Sequence, residues 1–501
     1  MMLLSQTAQV LGGKLIGPDI EFFAVSSDSR TVAPGDLFVA LRGENFDGAA
    51  FVAGALQSGA VAALVNADSY RNEERGSRSE GEASILDPQS SILLVEDTRL
   101  ALGRLAAHWR KQFDIPLVAV TGSNGKTTVK EMLASILRSA AGSADAVLAN
   151  TGNLNNDIGM PLTLLKLRAN HRYAVIEMGM NHPGEIDYLT RLARPDIAIV
   201  NNAGSAHLAG LGSVEAVARA KGEIFAGLPD NGIAVINADD AHAALWRELA
   251  GTHTVIEFGM QRHVTVLRQG GTEGSGRPPA VSISPSRRLD ADCLPLVYPL
   301  RVHAQWQPQG HGAHIEARTP QGSFSANLQV PGIHNVRNAL AATAAAAALH
   351  IGLSDIAAGL EKFLGVSGRL QRKAALHGAE LIDDSYNANP ASLHAALKVL
   401  AQASGKKILV LGDMGELGTA AVRLHGEIGA EARRLGVDEL LALGELTTHT
   451  VYEFGAGARH FECIEDLLAT LDKDMDADST VLVKGSRFMR MERVVSAVTG
   501  G

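Results

Sequence analysis

Residues 121–128 read "TGSNGKTT", between the apolar run "IPLVAV" (115–120) and the helix-forming stretch "KTTVKEMLASILRSA" (126–140). A strict phosphate-binding loop, G-x-x-x-x-G-K-[ST], would place glycine at position 120, where this chain has Val120. The flanks supply what the spacing lacks. A buried strand running into a glycine-containing loop and then a helix aims backbone N–H groups at the helix N-terminus, where phosphate is stabilised. Thr121, Gly122, Ser123, Asn124, Gly125, Lys126, Thr127 and Thr128 are therefore candidate nucleotide-binding residues. Lys126 supplies a point charge for the β/γ-phosphates, and the Thr127 hydroxyl is a hard donor for Mg²⁺. The expected ligands are a nucleotide and Mg²⁺.

Working outward, apolar runs alternate with amphipathic segments, the pattern of α/β layers. The runs "YAVIEMG" (173–179), "DIAIVNNAG" (196–204) and "GIAVINADD" (232–240) end in polar residues, as parallel strands with functional carboxyl ends do. Further strands are expected at "AELIDDSY" (379–386), "KKILVLGDM" (406–414) and "TVLVKGS" (480–486). The spacing predicts domains at 1–112, 113–331 and 332–501. "SYRNEERGSRSEGEASILDPQS" (69–90) and "RQGGTEGSGRPPAVSISPSRR" (268–288) interrupt the pattern and read as surface insertions.

Composition narrows the function class. The 501 residues are 46% hydrophobic and 20% charged, with a formal net charge of −9 and no long Lys/Arg run, which argues against a nucleic-acid surface. Cys293 and Cys463 lie outside any ligand spacing, so neither a zinc site nor a disulfide framework is expected. "MMLLSQTAQVLGG" lacks a basic leader region, and "ALAATAAAAALHIGL" (339–353) is too short for a membrane span and contains His350. It reads as an Ala-rich packed helix. A cytoplasmic monomer is the expectation.

Three residues point to the rest of a metal site. Glu177 ends the strand "AVIEMGM", His207 lies beyond the next strand end in "NNAGSAHLAGLGS", and Lys221 sits in "EAVARAKGEIF". Standing alone, His207 reads as an ordinary histidine and Lys221 as a solvated helix lysine. Together with the loop, these segments resemble the Mur ligase family, the ATP-dependent amide-forming enzymes of peptidoglycan precursor synthesis, over nearly the whole chain. "TGSNGKTT" is similar to that family's form of the loop. The resemblance implies a small α/β N-terminal substrate domain, a central P-loop-type ATPase domain with a mostly parallel sheet, and a C-terminal Rossmann-like domain. It implies catalytic roles for Lys126, Glu177, His207 and Lys221, with Thr127, Glu177 and His207 on Mg²⁺. Lys221 is implied to be carbamylated and to behave as a carboxylate on that metal.

The resemblance also places "HNVRNALAA" near adenine, with Asn338 and Asn335 as contacts, and Arg369 of "SGRLQ" and Asp384 of "DDSYNANP" on ribose and phosphates. A helix cap for Asn335 and a loop salt bridge for the other two are the competing readings. "EMGMNHPGEI", "DDSYNANPAS", "LGDMGELG" and "LVKGSRFMRME" look like the members that join D-alanyl-D-alanine to UDP-N-acetylmuramoyl-tripeptide. Those two molecules are then the expected substrates. "SSDSRTVAPGDLFVALRGENFDGAAFV" (26–52) is similar to a uridine-diphosphate-binding start, with Ser29 and Arg30 as contacts. Ala49 stands where many relatives carry histidine. Asn153, Asn155 and Asn156 are candidate substrate contacts, with turn roles as the alternative. Lys484, Ser486 and Arg487 are candidates for the dipeptide carboxylate, with an anion nest as the alternative. Within the class, a ligase adding the third peptide residue or a folate polyglutamylating relative is the rival; the uridine-type start speaks against the latter. A nucleotide switch or transport ATPase is the rival from outside it, but neither N-K-x-D nor L-S-G-G-Q occurs.

Overall fold

The computed structural model describes residues 1–43, 47–71, 90–204, 208–260 and 300–500. Residues 72–89 of the first expected insertion, all of 268–288, Cys293 and His207 lie outside the described residues. The chain forms two compact units. One comprises Met1–Ala119, Asp145–Met180 and Gly184–Pro195; the other comprises Val120–Ala144, Asn181–Pro183 and Asp196–Gly501.

The first unit contains a five-stranded sheet in the order Lys14–Ile16, Ser91–Val95, Ala62–Asn66, Asp36–Val39, Ala24–Ser26. All neighbours are parallel except Lys14–Ile16 with Ser91–Val95. The helix Thr98–Arg110 starts where the Asp97 carboxylate accepts the Arg99 and Leu100 N–H groups, satisfying two donors that a helix start leaves open. Another parallel pair, Val147–Ala149 with Tyr173–Glu177, ends in the Glu177 carboxylate.

In the second unit, Ile197–Val200, Ile233–Asn237, Thr254–Gly259 and Leu300–Gln309 run parallel in that order. The edge is finished by two antiparallel strands, Gly312–Thr319 and Gly322–Leu328. The expected Ala-rich helix is Ile333–Ala348, sixteen residues long, and packs on the helix Lys126–Ala141 and on these strands. Its small side chains let backbones approach closely. A neighbouring helix, Leu353–Lys362, packs closely on the same helix: a Cβ on Gly359 would lie 2.3 Å from the Ile136 Cα.

A six-stranded sheet closes the chain, in the order Gln371–Ala374, Glu380–Asp384, Ser479–Lys484, Lys406–Gly412, Glu439–Leu443, Ala458–Phe461. Only the first pairing is antiparallel. Its inner strands Lys406–Gly412, Glu439–Leu443 and Ser479–Lys484 are largely apolar because both faces are covered, whereas the edge strands Gln371–Ala374 and Ala458–Phe461 carry charged residues. Ile382, Leu409, Leu411, Leu440 and Leu482 meet Leu393, Leu397, Ile428 and Phe454 on one side. Their alternating neighbours Leu381, Ile408, Val410, Leu441 and Val481 meet Leu467, Leu471, Val494 and Val498 on the other. Parallel strands put all carboxyl ends on one edge, which gathers Asp384, Asp413 and Lys484 there. Among the described residues no helix is long and apolar enough to cross a membrane.

Candidate active site

The loop is built as its sequence demands. The strand Leu117–Thr121 delivers Gly122–Gly125, and the helix Lys126–Ala141 begins at once. Gly125 caps it with φ of 78°, a left-handed conformation that glycine adopts without strain. Space imposes the same choice: a Cβ there would lie 2.3 Å from Asn338 Oδ1 and 2.7 Å from Asn201 Nδ2.

Carboxamides also fix the loop's shape. The Asn124 N–H donates to Asn202 Oδ1 at 2.8 Å, and its carbonyl accepts from Asn201 Nδ2 at 3.0 Å and Asn202 Nδ2 at 2.9 Å. Asn201 Nδ2 also reaches Asn338 Oδ1 at 3.0 Å, Asn338 Nδ2 reaches Asn335 Oδ1 at 3.2 Å, and Asn335 Nδ2 ends on the Pro331 carbonyl at 2.7 Å. Ser123 closes the far side, its N–H on the Asn202 carbonyl and its hydroxyl accepting from the Gly204 N–H at 2.9 Å. The Lys126 ammonium folds over the loop onto the Gly122 carbonyl at 2.8 Å. Asn338 therefore packs directly against the loop with Asn335 behind it, and Asn201 and Asn202, absent from the sequence-derived set, are its main braces. Their place at the end of "DIAIVNN" was the available signal.

Lys221 lies in the same unit, on the helix Val214–Gly222, and is 1% exposed. Burial, then the charge of Lys126, pushes its amine well below the usual lysine range. Thr127 and Thr128 are buried at the start of the loop helix.

Glu177 belongs to the other unit and is 2% exposed. Its Oε1 accepts from Asn155 Nδ2 at 2.8 Å, and its backbone is clamped on both sides by Asn150, at 2.9 and 3.0 Å. Asn155 thus aims the Glu177 carboxylate. Asn156 Oδ1 accepts the Gly159 N–H at 2.8 Å, a turn role, and Asn153 is exposed. Arg30 is exposed and paired with Asp28 at 2.7 Å; its guanidinium holds the Asp28 carboxyl down at about 2. Ser29 is half-buried in the same turn.

At the carboxyl edge of the six-stranded sheet, Asp384 and Lys484 form a buried ion pair. Burial raises the Asp384 carboxyl, and the Lys484 charge opposes that rise. Asp384 Oδ1 also accepts the Leu370 N–H at 3.1 Å. Arg369 stacks over the Tyr386 ring with its guanidinium 4.5 Å from the centroid, and the Arg487 guanidinium lies 5.7 Å from the same ring. Ser486 accepts from the Gly415 N–H at 2.8 Å and donates to the Ala388 carbonyl at 3.2 Å. Tyr386 is a site neighbour that its residue type alone did not single out.

Residues 21–110 match the Mur ligase family, catalytic domain; residues 120–279 match the Mur ligase middle domain; residues 368–487 match the Mur ligase, glutamate ligase domain. The UDP-N-acetylmuramoyl-tripeptide--D-alanyl-D-alanine ligase of Escherichia coli K12 is 40% identical over 498 residues, covering 99% of this chain and 98% of that protein. The chain belongs to the Mur ligase family. The Bacillus subtilis protein of the same name is 32% identical, covering 97% of this chain and 96% of its own length. The crystal structure of MurF from Acinetobacter baumannii superposes with a TM-score of 0.80 at 34% identity, over 99% of this chain and 98% of that one. MurF ligase from Thermotoga maritima, solved in complex with ADP, gives 0.73 at 26% identity over 95% and 96% of the two chains. The three-part α/β architecture of a Mur ligase is thus the architecture of this chain.

Proposed function

We propose that this chain joins D-alanyl-D-alanine to UDP-N-acetylmuramoyl-tripeptide, consuming ATP and releasing ADP and phosphate, in peptidoglycan synthesis. The observation that carries the reading is the whole-length match to relatives that share this one name.

A carboxylate is a poor acyl donor, because its charge repels nucleophiles and oxide is a bad leaving group. Phosphorylation removes both obstacles. The tripeptide carboxylate displaces ADP from the γ-phosphorus of ATP, giving an acyl phosphate. The dipeptide amine then attacks the acyl carbon, phosphate leaves, and the amine loses its proton to solvent. Lys126 and the loop N–H groups answer the charge that spreads over the phosphoryl oxygens. Since carboxamides already fix the loop, little reorganisation is needed when that charge develops.

The donor set suits a hard cation. Thr127 and the buried Glu177 offer oxygen ligands, with His207 and a modified Lys221 completing the proposed set. Mg²⁺, when bound, neutralises phosphoryl charge. Lys221 fits the carbamate reading because a buried amine held neutral can add CO₂, which converts a would-be cation into an anionic oxygen donor. Asn335, Asn338, Arg369 and Asp384 are the proposed nucleotide contacts. Ser29 and Arg30 are proposed for the uridine diphosphate, Asn153, Asn155 and Asn156 for the peptide cleft, and Lys484, Ser486 and Arg487 for the dipeptide. ATP and UDP-linked substrates belong to the cytoplasm, and the proposed chemistry requires only one copy of the chain.

Phosphate release by the purified protein tests the reading. Release should require ATP, UDP-N-acetylmuramoyl-tripeptide and D-alanyl-D-alanine together. Equal turnover with free D-alanine or meso-diaminopimelate, or hydrolysis without any acceptor, overturns it.

A further inference from the structure

Asn389 uses both ends of its carboxamide, and the two ends serve different parts of the molecule. Its oxygen caps the helix Pro390–Leu400, accepting the Ser392 N–H at 2.9 Å, while its own N–H donates to Ser392 Oγ at 3.0 Å. Its nitrogen donates to Asn124 Oδ1 at 2.8 Å, across 265 residues of sequence. A helix cap alone requires only the oxygen, so the amide half is an added feature.

The partner is well chosen. The Asn124 backbone is already held by Asn201 and Asn202 of the central segment, so its side chain is the group left for the C-terminal segment to grip. The gripping end is anchored too. Lys484 donates to the Asn387 carbonyl at 2.9 Å and pairs with Asp384, and Ser486 donates to the Ala388 carbonyl. Residues 384–389 are thereby tied to the C-terminal sheet at one end and to the phosphate loop at the other. We propose that Asn389 is a positioning residue that holds the phosphate loop in its nucleotide-binding shape only while the C-terminal segment is seated on it. This rests on the nucleotide-dependent ligase reading and extends it: the sheet that carries Arg369 and Asp384 also fixes the loop through Asn124.

The test separates cap from latch. Asn389→Ser retains a capping oxygen but is one bond shorter and has no second N–H to reach Asn124. Asn389→Ala loses both functions. Calorimetric binding of Mg·ADP should weaken about five-fold in Asn389→Ser, the size expected for one neutral hydrogen bond, with Tm close to wild type. Asn389→Ala should lose Tm as well. In an Asn124→Ala background, Asn389→Ser should cause no further weakening, since the bond it removes is already gone. Wild-type ADP affinity in Asn389→Ser, or an effect that adds in full to that of Asn124→Ala, overturns the latch. The binding measurement needs no acceptor substrate, so a failure of the ligase assignment appears separately, as acceptor-independent phosphate release by the wild type.

Discussion

Asp384 and Lys484 stand opposite each other at the carboxyl ends of adjacent parallel strands, and their charges meet out of water. Removing one partner strands the other. Asp384→Ala should therefore cost about 3–5 kcal/mol in urea unfolding, whereas replacing both by apolar residues should cost less than the two single changes combined. If Asp384 also serves ATP, the single variant that survives should show a raised KM for ATP with UDP-substrate affinity nearly intact. An unchanged ATP profile removes Asp384 from the nucleotide site.

Gly125→Ala places a methyl group against Asn338 and Asn201 at a left-handed backbone position. Stability should fall by about 1–3 kcal/mol, and Mg·ADP binding should fall at least ten-fold because the carboxamide braces are displaced. Calorimetry with ADP checks this, and wild-type affinity would show that the loop can relax around the methyl group.

Asn155 orients the carboxylate of Glu177. Glu177 is a proposed Mg²⁺ ligand, and hydrogen-bond partners of a metal ligand commonly contribute ten-fold or more to metal affinity. Asn155→Ala should raise the Mg²⁺ concentration for half-maximal activity about ten-fold, with Tm little changed. An unaltered Mg²⁺ titration would assign Asn155 to the peptide cleft alone.

His334 sets a pH dependence. Burial first, then the Lys484 and Arg337 charges, lower its imidazole to about 4, and its Nε2 has no hydrogen-bond partner. The folded chain then binds fewer protons at this site than the unfolded chain, so stability present above pH 6.5 is lost as pH falls toward 4. The wild type should lose about 2 kcal/mol more over that interval than His334→Leu, measured by denaturant unfolding at each pH. Parallel curves for the two proteins would place the histidine in a solvated setting.

Lys221→Ala should be nearly inactive and regain part of its activity with added formate or acetate, small enough to fill the space left by a carbamate. Full activity without any additive, or unmodified lysine density in an active, CO₂-equilibrated crystal, would end the carbamate reading.

The strands were legible because parallel strands covered on both faces must be apolar along their whole length. "KKILVLG" and "TVLVK" thus marked the observed Lys406–Gly412 and Ser479–Lys484. The loop helix was legible from one glycine and its flanks. The braces were not. Asn201, Asn202 and Asn389 carry a side chain that sequence reasoning assigns to turns, and their carboxamides acquire purpose only when segments remote in sequence converge. Asp384 and Lys484 are 100 residues apart, and no local pattern announces an ion pair across that distance.

The links running from the Asn335, Asn338, Asn201, Asn202 and Asn389 side chains to the loop are carboxamides, which neither titrate nor carry net charge. Acid and salt act on charged groups first, so this scaffold should hold its form over a broad range of buffers while the triphosphate it grips responds strongly to both. A carboxylate in any of these places would repel the phosphates, and an ammonium would compete with Lys126 for them. Neutrality keeps the support electrically silent, so that in the proposed site Lys126 and the cation set how tightly the nucleotide is held.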